Sequence, residues 1–290
     1  MRPGKNRWVL GARPRTLPAA VAPVLVGTAV AASEGPVRAW RAAAALLVAL
    51  ALQVGVNYAN DYQDGTRGTD RERVGPTRLV ASGLAAPAQV RAAALLSFAV
   101  AGAAGAALAI AVQPWLLLVG AASIGAAWAY TGGPRPYGYR GWGELFVFVF
   151  FGLVATTGSA FVQHGRLSGL ALAASVPLGL LAAALLAVNN LRDRPQDALA
   201  GKHTLAVRFG DRGARRFYAA LVTAALISPF FIAIARPRAL VALVVAPLAV
   251  RPMRRVLSGT TGFALVAALS ETARLQLLFA ATLAVGVWPR

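Results

Sequence analysis

The sequence predicts an all-α protein that crosses a membrane nine times. Of its 290 residues, 58% are hydrophobic and the mean hydropathy is +0.61, which is too apolar for an ordinary water-soluble domain. Apolar runs close to the length that spans a bilayer recur along the whole chain. The 29 Lys and Arg residues fall unevenly between alternate loops, as expected for a polytopic membrane protein.

The nine predicted helices are separated by short polar segments within one domain that covers residues 1–290. The basic segment 1–16 has no small-residue cleavage site behind it, so we expect a cytoplasmic lead-in and not a signal peptide. Residues 262–269 are apolar but short, and we expect a loop or interfacial turn there. The predicted membrane helices cover residues 17–32, 42–59, 92–112, 115–130, 144–162, 167–188, 217–235, 239–250 and 273–288.

Loop charge predicts the orientation. The lead-in and the loops after the second, fourth, sixth and eighth helices carry 22 Lys and Arg residues, against 6 on the other side. The positive side faces the cytoplasm, so this asymmetry places the N-terminus there and explains the net charge of +19 without nucleic acid. The absence of cysteine excludes disulfides and thiolate metal sites, and two histidines are too few for a histidine-based metal site.

Acidic residues concentrate in two polar segments that the positive-inside pattern places in the cytoplasm. Seven of the ten acidic residues lie in residues 53–83 and 189–211. Asp61 and Asp64 are three residues apart and Asp193 and Asp197 four apart, so each pair shares one face of a helical end. Paired carboxylates on one face are typical of Mg²⁺ sites that also bind substrate phosphates. The nearby arginines and Lys202 suit the phosphates themselves.

A weak internal repeat relates the two acidic segments. Asn57-x₃-Asp61 and Asn189-x₃-Asp193 lie 132 residues apart, each at the end of a helix running towards the cytoplasm, within the half-repeats 42–130 and 167–250. A duplicated helical unit would face the clusters across one cavity. Carboxylates at helix C-termini are disfavoured by about 0.3–1 kcal/mol each and repel one another, so the arrangement requires a cation.

These segments resemble the two aspartate motifs of the UbiA superfamily of intramembrane prenyltransferases. The resemblance is closest to its branch that prenylates 1,4-dihydroxy-2-naphthoate in menaquinone biosynthesis, and it covers about two-thirds of the chain. The matching stretches are ARPRTLPAAVAPVLVGTA (12–29), NYANDYQDGTRGTD (57–70), GPTRLVASG (75–83), YTGGPRPYGYRGWGELFVFVFFG (130–152) and NNLRDRPQDALAGKHTLAVRFG (189–210).

The resemblance implies a bundle of nine helices around a central cavity, in a bacterial plasma membrane, with its active site towards the cytoplasm. It implies transfer of a polyprenyl group from polyprenyl diphosphate to 1,4-dihydroxy-2-naphthoate, with loss of CO₂ and diphosphate, giving demethylmenaquinone. No nucleic acid and no obligate protein partner are implied. Mg²⁺ and catalysis would belong to Asp61, Asp64, Asp193 and Asp197, and diphosphate binding to Asn57, Asn60, Arg67, Tyr130, Arg140, Asn190 and Lys202.

Two departures from the wider superfamily limit this transfer of roles. Gly68 stands where a further aspartate is common, which leaves the role of Asp70 open. Pro134 stands where many relatives have a lysine after Tyr130, and Arg135 or Arg140 is the candidate substitute.

Three alternatives follow from the same residues. Another aromatic acceptor, such as 4-hydroxybenzoate or homogentisate, would need the same diphosphate machinery. A CDP-alcohol phosphotransferase would need a longer aspartate motif than Asp64-Gly65 provides. An ion-coupled transporter also uses intramembrane carboxylates, but it places them near the midplane.

Overall fold

The computed structural model describes residues 6–68 and 77–289, and all regular secondary structure within them is helical. Short 3₁₀ segments cover Pro14–Thr16, Tyr137–Arg140, Pro237–Ala249 and Gly262–Ala264, and a π-helical segment, Phe148–Val154, joins α6 to α7. The α-helices are α1 (Arg7–Ala12), α2 (Pro18–Glu34), α3 (Ala39–Arg67), α4 (Pro87–Ala111), α5 (Leu116–Ala129), α6 (Gly143–Val147), α7 (Ala155–His164), α8 (Gly169–Leu199), α9 (Leu205–Ala233), α10 (Val250–Leu257) and α11 (Leu265–Val287).

Six helical stretches in the described ranges are long and apolar enough to cross a membrane, and the chain is a multi-pass membrane protein. The segment Arg7–Thr16 and α2 form a seventh candidate that bends by 52°. The remaining two predicted spans fall on α5, which has 14 residues, and on the 3₁₀ segment Pro237–Ala249. All nine predicted apolar runs are therefore helical, whereas length and composition support six or seven complete crossings.

Several predicted boundaries were wrong in the same direction. Helix α3 continues eight residues beyond its predicted end at residue 59, and α8 continues eleven beyond residue 188. Helix α9 begins at Leu205 and changes direction at Gly210, whose φ of 68° belongs to the left-handed region. Residues 262–269, expected to be a loop, form a 3₁₀ turn and the first turns of α11. The extensions were missed because they carry polar residues, and hydropathy detects lipid-facing sequence and not helicity.

Glycine lets several of these helices pack in direct contact. A Cβ atom added to Gly27 of α2 would lie 2.3 Å from the carbonyl oxygen of Thr156 in α7. A Cβ atom on Gly152 would lie 2.5 Å from the Cα atom of Gly179 in α8. Small residues at helix interfaces are the usual means of close approach in a bilayer.

The buried residues form two main clusters on either side of a cavity. The larger joins α2, α8, α9 and α11, with Leu178, Tyr218 and Phe279 among its fully buried side chains. The smaller joins α3 and α4 with residues 79–85, around Tyr58 and Phe98. Helix α3 packs chiefly on α4, and α8 chiefly on α9. The facing surfaces of the two groups carry both aspartate motifs.

Candidate active site

A cavity of about 370 Å³ lies between these helix groups. Both aspartate motifs contribute to its polar end, and apolar residues line its remainder. Ala45 lines it at the opposite part of α3 from Asp64; the separation of 19 residues corresponds to about 28 Å along a helix. The polar lining residues from α3 and α8 are Gln53, Asn57, Asn60, Asp64, Asn189, Asn190, Asp193 and Asp197.

One face of α3 forms a continuous polar wall. Gln53, Asn57, Asn60 and Asp64 follow one another at intervals of four, three and four residues, which aligns them on one side of the helix. The Asn57 side chain donates to the carbonyl of Ala12 over 2.9 Å. This contact fixes the amide row of α3, formed by Gln53, Asn57 and Asn60, against the segment that precedes α2.

Asp64 contacts three polar side chains at the polar end. Its Oδ1 atom accepts a 2.5 Å hydrogen bond from the Tyr139 hydroxyl and lies 3.3 Å from Lys202 Nζ. Its Oδ2 atom lies 3.7 Å from Arg78 Nη2. Asp64, Arg78 and Lys202 are all buried. Two cations therefore offset the charge of one carboxylate inside the protein.

Lys202 connects the two aspartate motifs. Its Nζ atom also lies 3.8 Å from Asp197 Oδ1, and its backbone N–H donates to the Asp197 carbonyl over 2.8 Å. The neighbouring His203 N–H donates to the carbonyl of Tyr139 over 2.7 Å. The Lys202 ammonium lies over the Tyr139 ring, 4.5 Å from its centroid. These contacts join the loop after α8 to the loop after α5 and place the ammonium between Asp64 and Asp197.

Asp193 and Asn190 complete the α8 side. Both Asp193 oxygens accept hydrogen bonds from the adjacent Arg192, at 2.7 and 2.8 Å. Asn190 donates to Glu144 Oε1 over 2.9 Å. All four of these residues are buried, so hydrogen bonds to neighbouring side chains fix the polar groups of α8 at the cavity.

Asp61 has a different environment from the one predicted. Its Oδ2 atom accepts from the backbone N–H of Leu79 over 2.7 Å, and its Oδ1 atom accepts from Val80 over 3.1 Å. The side chain is fully buried and does not belong to the cavity lining. In this structure the carboxylate of Asp61 fastens the chain just after Arg78, a residue that contacts Asp64.

Two predicted diphosphate ligands are not among the residues that line the cavity. Arg67 is exposed and donates to the carbonyl oxygens of Thr131 and Gly133. Arg140 is exposed, and its carbonyl accepts from Arg208 over 2.8 Å. The lining includes the other five predicted ligands, whereas Asp70 lies outside the described residues. Those five are Asn57, Asn60, Tyr130, Asn190 and Lys202.

Tyr139 and Arg78 are cavity residues that the sequence prediction did not select. Tyr139 lies in the Gly/Pro-rich loop 131–143, whose sequence predicts turns and gives no signal for a cavity residue. Arg78 was one of several arginines in a polar loop. Burial, followed by the negative charge of Asp64, raises the pKa of Tyr139, since both disfavour the phenolate. Tyr139 therefore remains a hydrogen-bond donor to Asp64 at neutral pH.

The donor set fits Mg²⁺ held jointly with a phosphate ligand. Among the residues described, no three acidic or histidine side chains are grouped closely enough to hold a metal by themselves. The expected convergence of four carboxylates is therefore not observed. Asp64, Asp193 and Asp197 nonetheless supply carboxylate oxygens to one cavity together with asparagine side chains. Mg²⁺ commonly binds through one or two carboxylates, waters and substrate phosphates.

Comparison with known proteins places this arrangement in a family. Residues 20–262 match the model of the UbiA prenyltransferase family. A 1,4-dihydroxy-2-naphthoate octaprenyltransferase of Mycobacterium tuberculosis is 50% identical over 278 residues, which cover 96% of this chain and 95% of that protein. The protein of the same description from Bacillus subtilis is 30% identical, with 98% of this chain and 92% of that protein covered.

Solved structures share the fold at much lower sequence identity. The apo structure of a UbiA homolog from Aeropyrum pernix K1 has a TM-score of 0.72 at 17% identity and covers 93% of this chain and 97% of that one. A UbiA homolog from Archaeoglobus fulgidus bound to GPP and Mg²⁺ has a TM-score of 0.67 at 16% identity, with coverage of 96% and 99%. The fold, the extent of the family match and the identity to full-length relatives agree: the chain belongs to the UbiA prenyltransferase family.

Proposed function

We propose that this protein transfers a polyprenyl group from polyprenyl diphosphate to 1,4-dihydroxy-2-naphthoate, releasing diphosphate and CO₂ and giving demethylmenaquinone. The observation that carries the proposal is one cavity with a charged end and a long apolar wall. The charged end combines Asp64, Asp197 and Lys202 from both halves of the chain. The acceptor follows from the names of the relatives at 50% and 30% identity.

The diphosphate would bind at the charged end with Mg²⁺. Asp64, Asp193 and Asp197 would hold the ion, and Asn57, Asn60 and Asn190 would supply neutral polar contacts. When bound, Mg²⁺ would neutralise charge on the diphosphate leaving group. Asp61, which the sequence also predicts to bind Mg²⁺, would join this set only if its side chain turned towards the cavity, because its oxygens accept two backbone hydrogen bonds.

Cationic side chains would bind the diphosphate oxygens directly. Lys202 and Arg78 contact Asp64 from the cavity wall, and each has donors that can turn to a phosphate oxygen. Tyr139, held protonated, orients the Asp64 carboxylate through its hydroxyl. Arg67 and Arg140 would require a rearrangement of their loops to reach the same ligand.

The apolar part of the cavity would shield the allylic carbon and the isoprenoid chain from water. Its wall includes Val24, Leu108, Leu116 and Phe150. Excluding water prevents hydrolysis of the reactive group that leaves the diphosphate. The electron-rich acceptor ring would then form the new carbon–carbon bond, and its carboxylate would leave as CO₂.

Membrane placement completes the proposal. We propose nine membrane-embedded helical segments in a single domain, including the 14-residue α5 and the 3₁₀ segment Pro237–Ala249. The loop charge asymmetry supports a cytoplasmic N-terminus and a polar cavity end that opens to the cytoplasm of a bacterial plasma membrane. In the proposed repeat of residues 42–130 and 167–250, each half contains one helix, α3 or α8, that carries an aspartate motif.

A product assay tests the reaction, the acceptor and the metal together. Membranes containing the protein are incubated with a polyprenyl diphosphate and 1,4-dihydroxy-2-naphthoate, with and without Mg²⁺. We expect Mg²⁺-dependent formation of both CO₂ and the prenylated quinone. Transfer to 4-hydroxybenzoate alone would overturn the acceptor, and inactivity with every aromatic acceptor would favour an ion-coupled transporter.

A further inference from the structure

Arg13 has an unusual backbone conformation between α1 and the 3₁₀ segment that precedes α2. Its φ and ψ of 52° and 70° lie in the left-handed region, and it is the one non-glycine residue with positive φ among those described. This conformation is uncommon for a residue with a long side chain and persists where surrounding contacts enforce it.

The contacts that enforce it come from the amide row of α3. The Asn57 side chain donates to the Ala12 carbonyl over 2.9 Å and to Thr16 Oγ1 over 3.0 Å. Gln53 donates to the same hydroxyl over 3.1 Å, and that hydroxyl donates to the Arg13 carbonyl over 3.0 Å. The backbone is therefore anchored on both sides of Arg13, and its side chain starts from a fixed position.

The Arg13 guanidinium has no described partner for its charge. Arg13 lines the cavity, and its Nε and Nη2 atoms are buried without a hydrogen bond to any described residue. The acids that line the cavity have cationic neighbours elsewhere: Lys202 for Asp64 and Asp197, and Arg192 for Asp193. A buried donor without a hydrogen bond costs free energy, so a fixed guanidinium of this kind indicates a site for an anionic ligand.

We propose that Arg13 binds the carboxylate of the aromatic acceptor. This inference rests on the proposed function and adds the residue that would select an acidic acceptor. A planar guanidinium matches a carboxylate through two parallel hydrogen bonds. The diphosphate has Lys202 and Arg78 beside Asp64. The Arg13 segment is instead fastened to Asn57, seven residues before Asp64, or about 10 Å along the helix.

The test compares an acid with its uncharged analogue. The purified full-length protein is assayed for turnover of 1,4-dihydroxy-2-naphthoate and for binding of 1,4-dihydroxy-2-naphthamide, which keeps the ring and hydroxyls but has no carboxylate to lose as CO₂. The variants are Arg13→Gln, Arg13→Lys and the matched control Arg15→Gln. Arg15 is exposed and does not belong to the cavity lining. Binding of the naphthoate in the absence of polyprenyl diphosphate, followed by its fluorescence, provides a readout that does not depend on turnover.

For Arg13→Gln we expect Kd and KM for the naphthoate to rise about 10- to 100-fold, the range for losing a charge-assisted pair. The KM for polyprenyl diphosphate, the Kd for the naphthamide and the behaviour of Arg15→Gln stay near wild type. Arg13→Lys, which keeps the charge but not the fork, gives an intermediate KM. It also provides the comparison if Arg13→Gln does not fold.

Three results overturn the assignment to the acceptor carboxylate. They are an unchanged naphthoate KM, an equal rise in Kd for the acid and the amide, and a rise confined to the KM for polyprenyl diphosphate. In the last case Arg13 belongs to the diphosphate site. Wild-type protein that does not prenylate the naphthoate refutes the proposed function itself, which separates the two failures.

Discussion

Replacing Lys202 with methionine should strengthen metal binding to the substrate-free protein while weakening turnover. The Lys202 ammonium lies 3.3 Å from Asp64 and 3.8 Å from Asp197, and the three side chains are 10%, 4% and 13% exposed. In the substrate-free protein Lys202 therefore occupies the position between carboxylates where a cation is needed. Methionine keeps much of the volume and removes the charge.

The magnitude follows from these distances. At an effective dielectric constant of about 20, unit charges attract by about 5 kcal/mol at 3.3 Å and about 4 kcal/mol at 3.8 Å, before the cost of desolvation is subtracted. Removing one partner of such a buried pair commonly costs about 3–5 kcal/mol. A divalent ion that offsets even about 1.4 kcal/mol of this loss binds about tenfold more tightly.

The assay uses Mn²⁺ as a paramagnetic substitute for Mg²⁺, titrated without substrate and followed by electron paramagnetic resonance. We expect Lys202→Met to bind Mn²⁺ at least tenfold more tightly, and its KM for polyprenyl diphosphate to rise by about tenfold or more because a charge-assisted phosphate contact is lost. Arg194→Met is the matched control, since Arg194 pairs with Asp211 outside the cavity. Unchanged or weaker Mn²⁺ binding by Lys202→Met would refute the reasoning.

Three further predictions concern stability and pH. Asp61→Asn should lower the free energy of unfolding by about 1–3 kcal/mol, because an amide cannot accept both backbone hydrogen bonds, and thermal unfolding in detergent measures this loss. Gly27→Ala should cost about 1–3 kcal/mol, since its Cβ would lie 2.3 Å from a carbonyl of α7. Tyr139→Phe should reduce kcat/KM about tenfold by removing the donor to Asp64. The midpoint of thermal unfolding of Tyr139→Phe should also fall less steeply above pH 10 than that of wild type.

Controls distinguish these effects from general damage. Asp211→Asn alters a half-exposed acid outside the cavity; it should lower stability, because Asp211 pairs with the buried Arg215, but leave the activity of the folded protein near wild type. Gly158→Ala, in α7, meets nothing within 4 Å and should leave the free energy of unfolding unchanged or raise it by up to about 1 kcal/mol, so equal losses of stability in Gly158→Ala and Gly27→Ala would contradict the close-packing argument. The pH prediction has a definite sign. Burial raises the folded-state pKa of Tyr139, so its contribution to stability is complete below pH 10 and declines as pH rises through that folded-state value.

Sequence reasoning located the helices better than it located their ends. Membrane spans are readable because hydropathy reports contact with lipid, and the predicted run 92–112 falls on α4 and ends one residue beyond it. The same signal ends at residue 59 of α3, although the helix continues to Arg67. Beyond that point the helix faces a polar cavity, where hydrogen bonding and packing maintain it without lipid contact.

Residue type and spacing alone predicted an all-helical membrane protein with two aspartate motifs and a lysine, Lys202, suited to a diphosphate. Helical periodicity predicted that Asp61 and Asp64 share one face. Only the tertiary structure decided which acids face the cavity: the Asp61 carboxylate turns to the amides of Leu79 and Val80. That choice depends on contacts between segments distant in sequence. The same reason left Arg13 unnoticed, because its lack of a partner among the described residues becomes visible only in the tertiary structure.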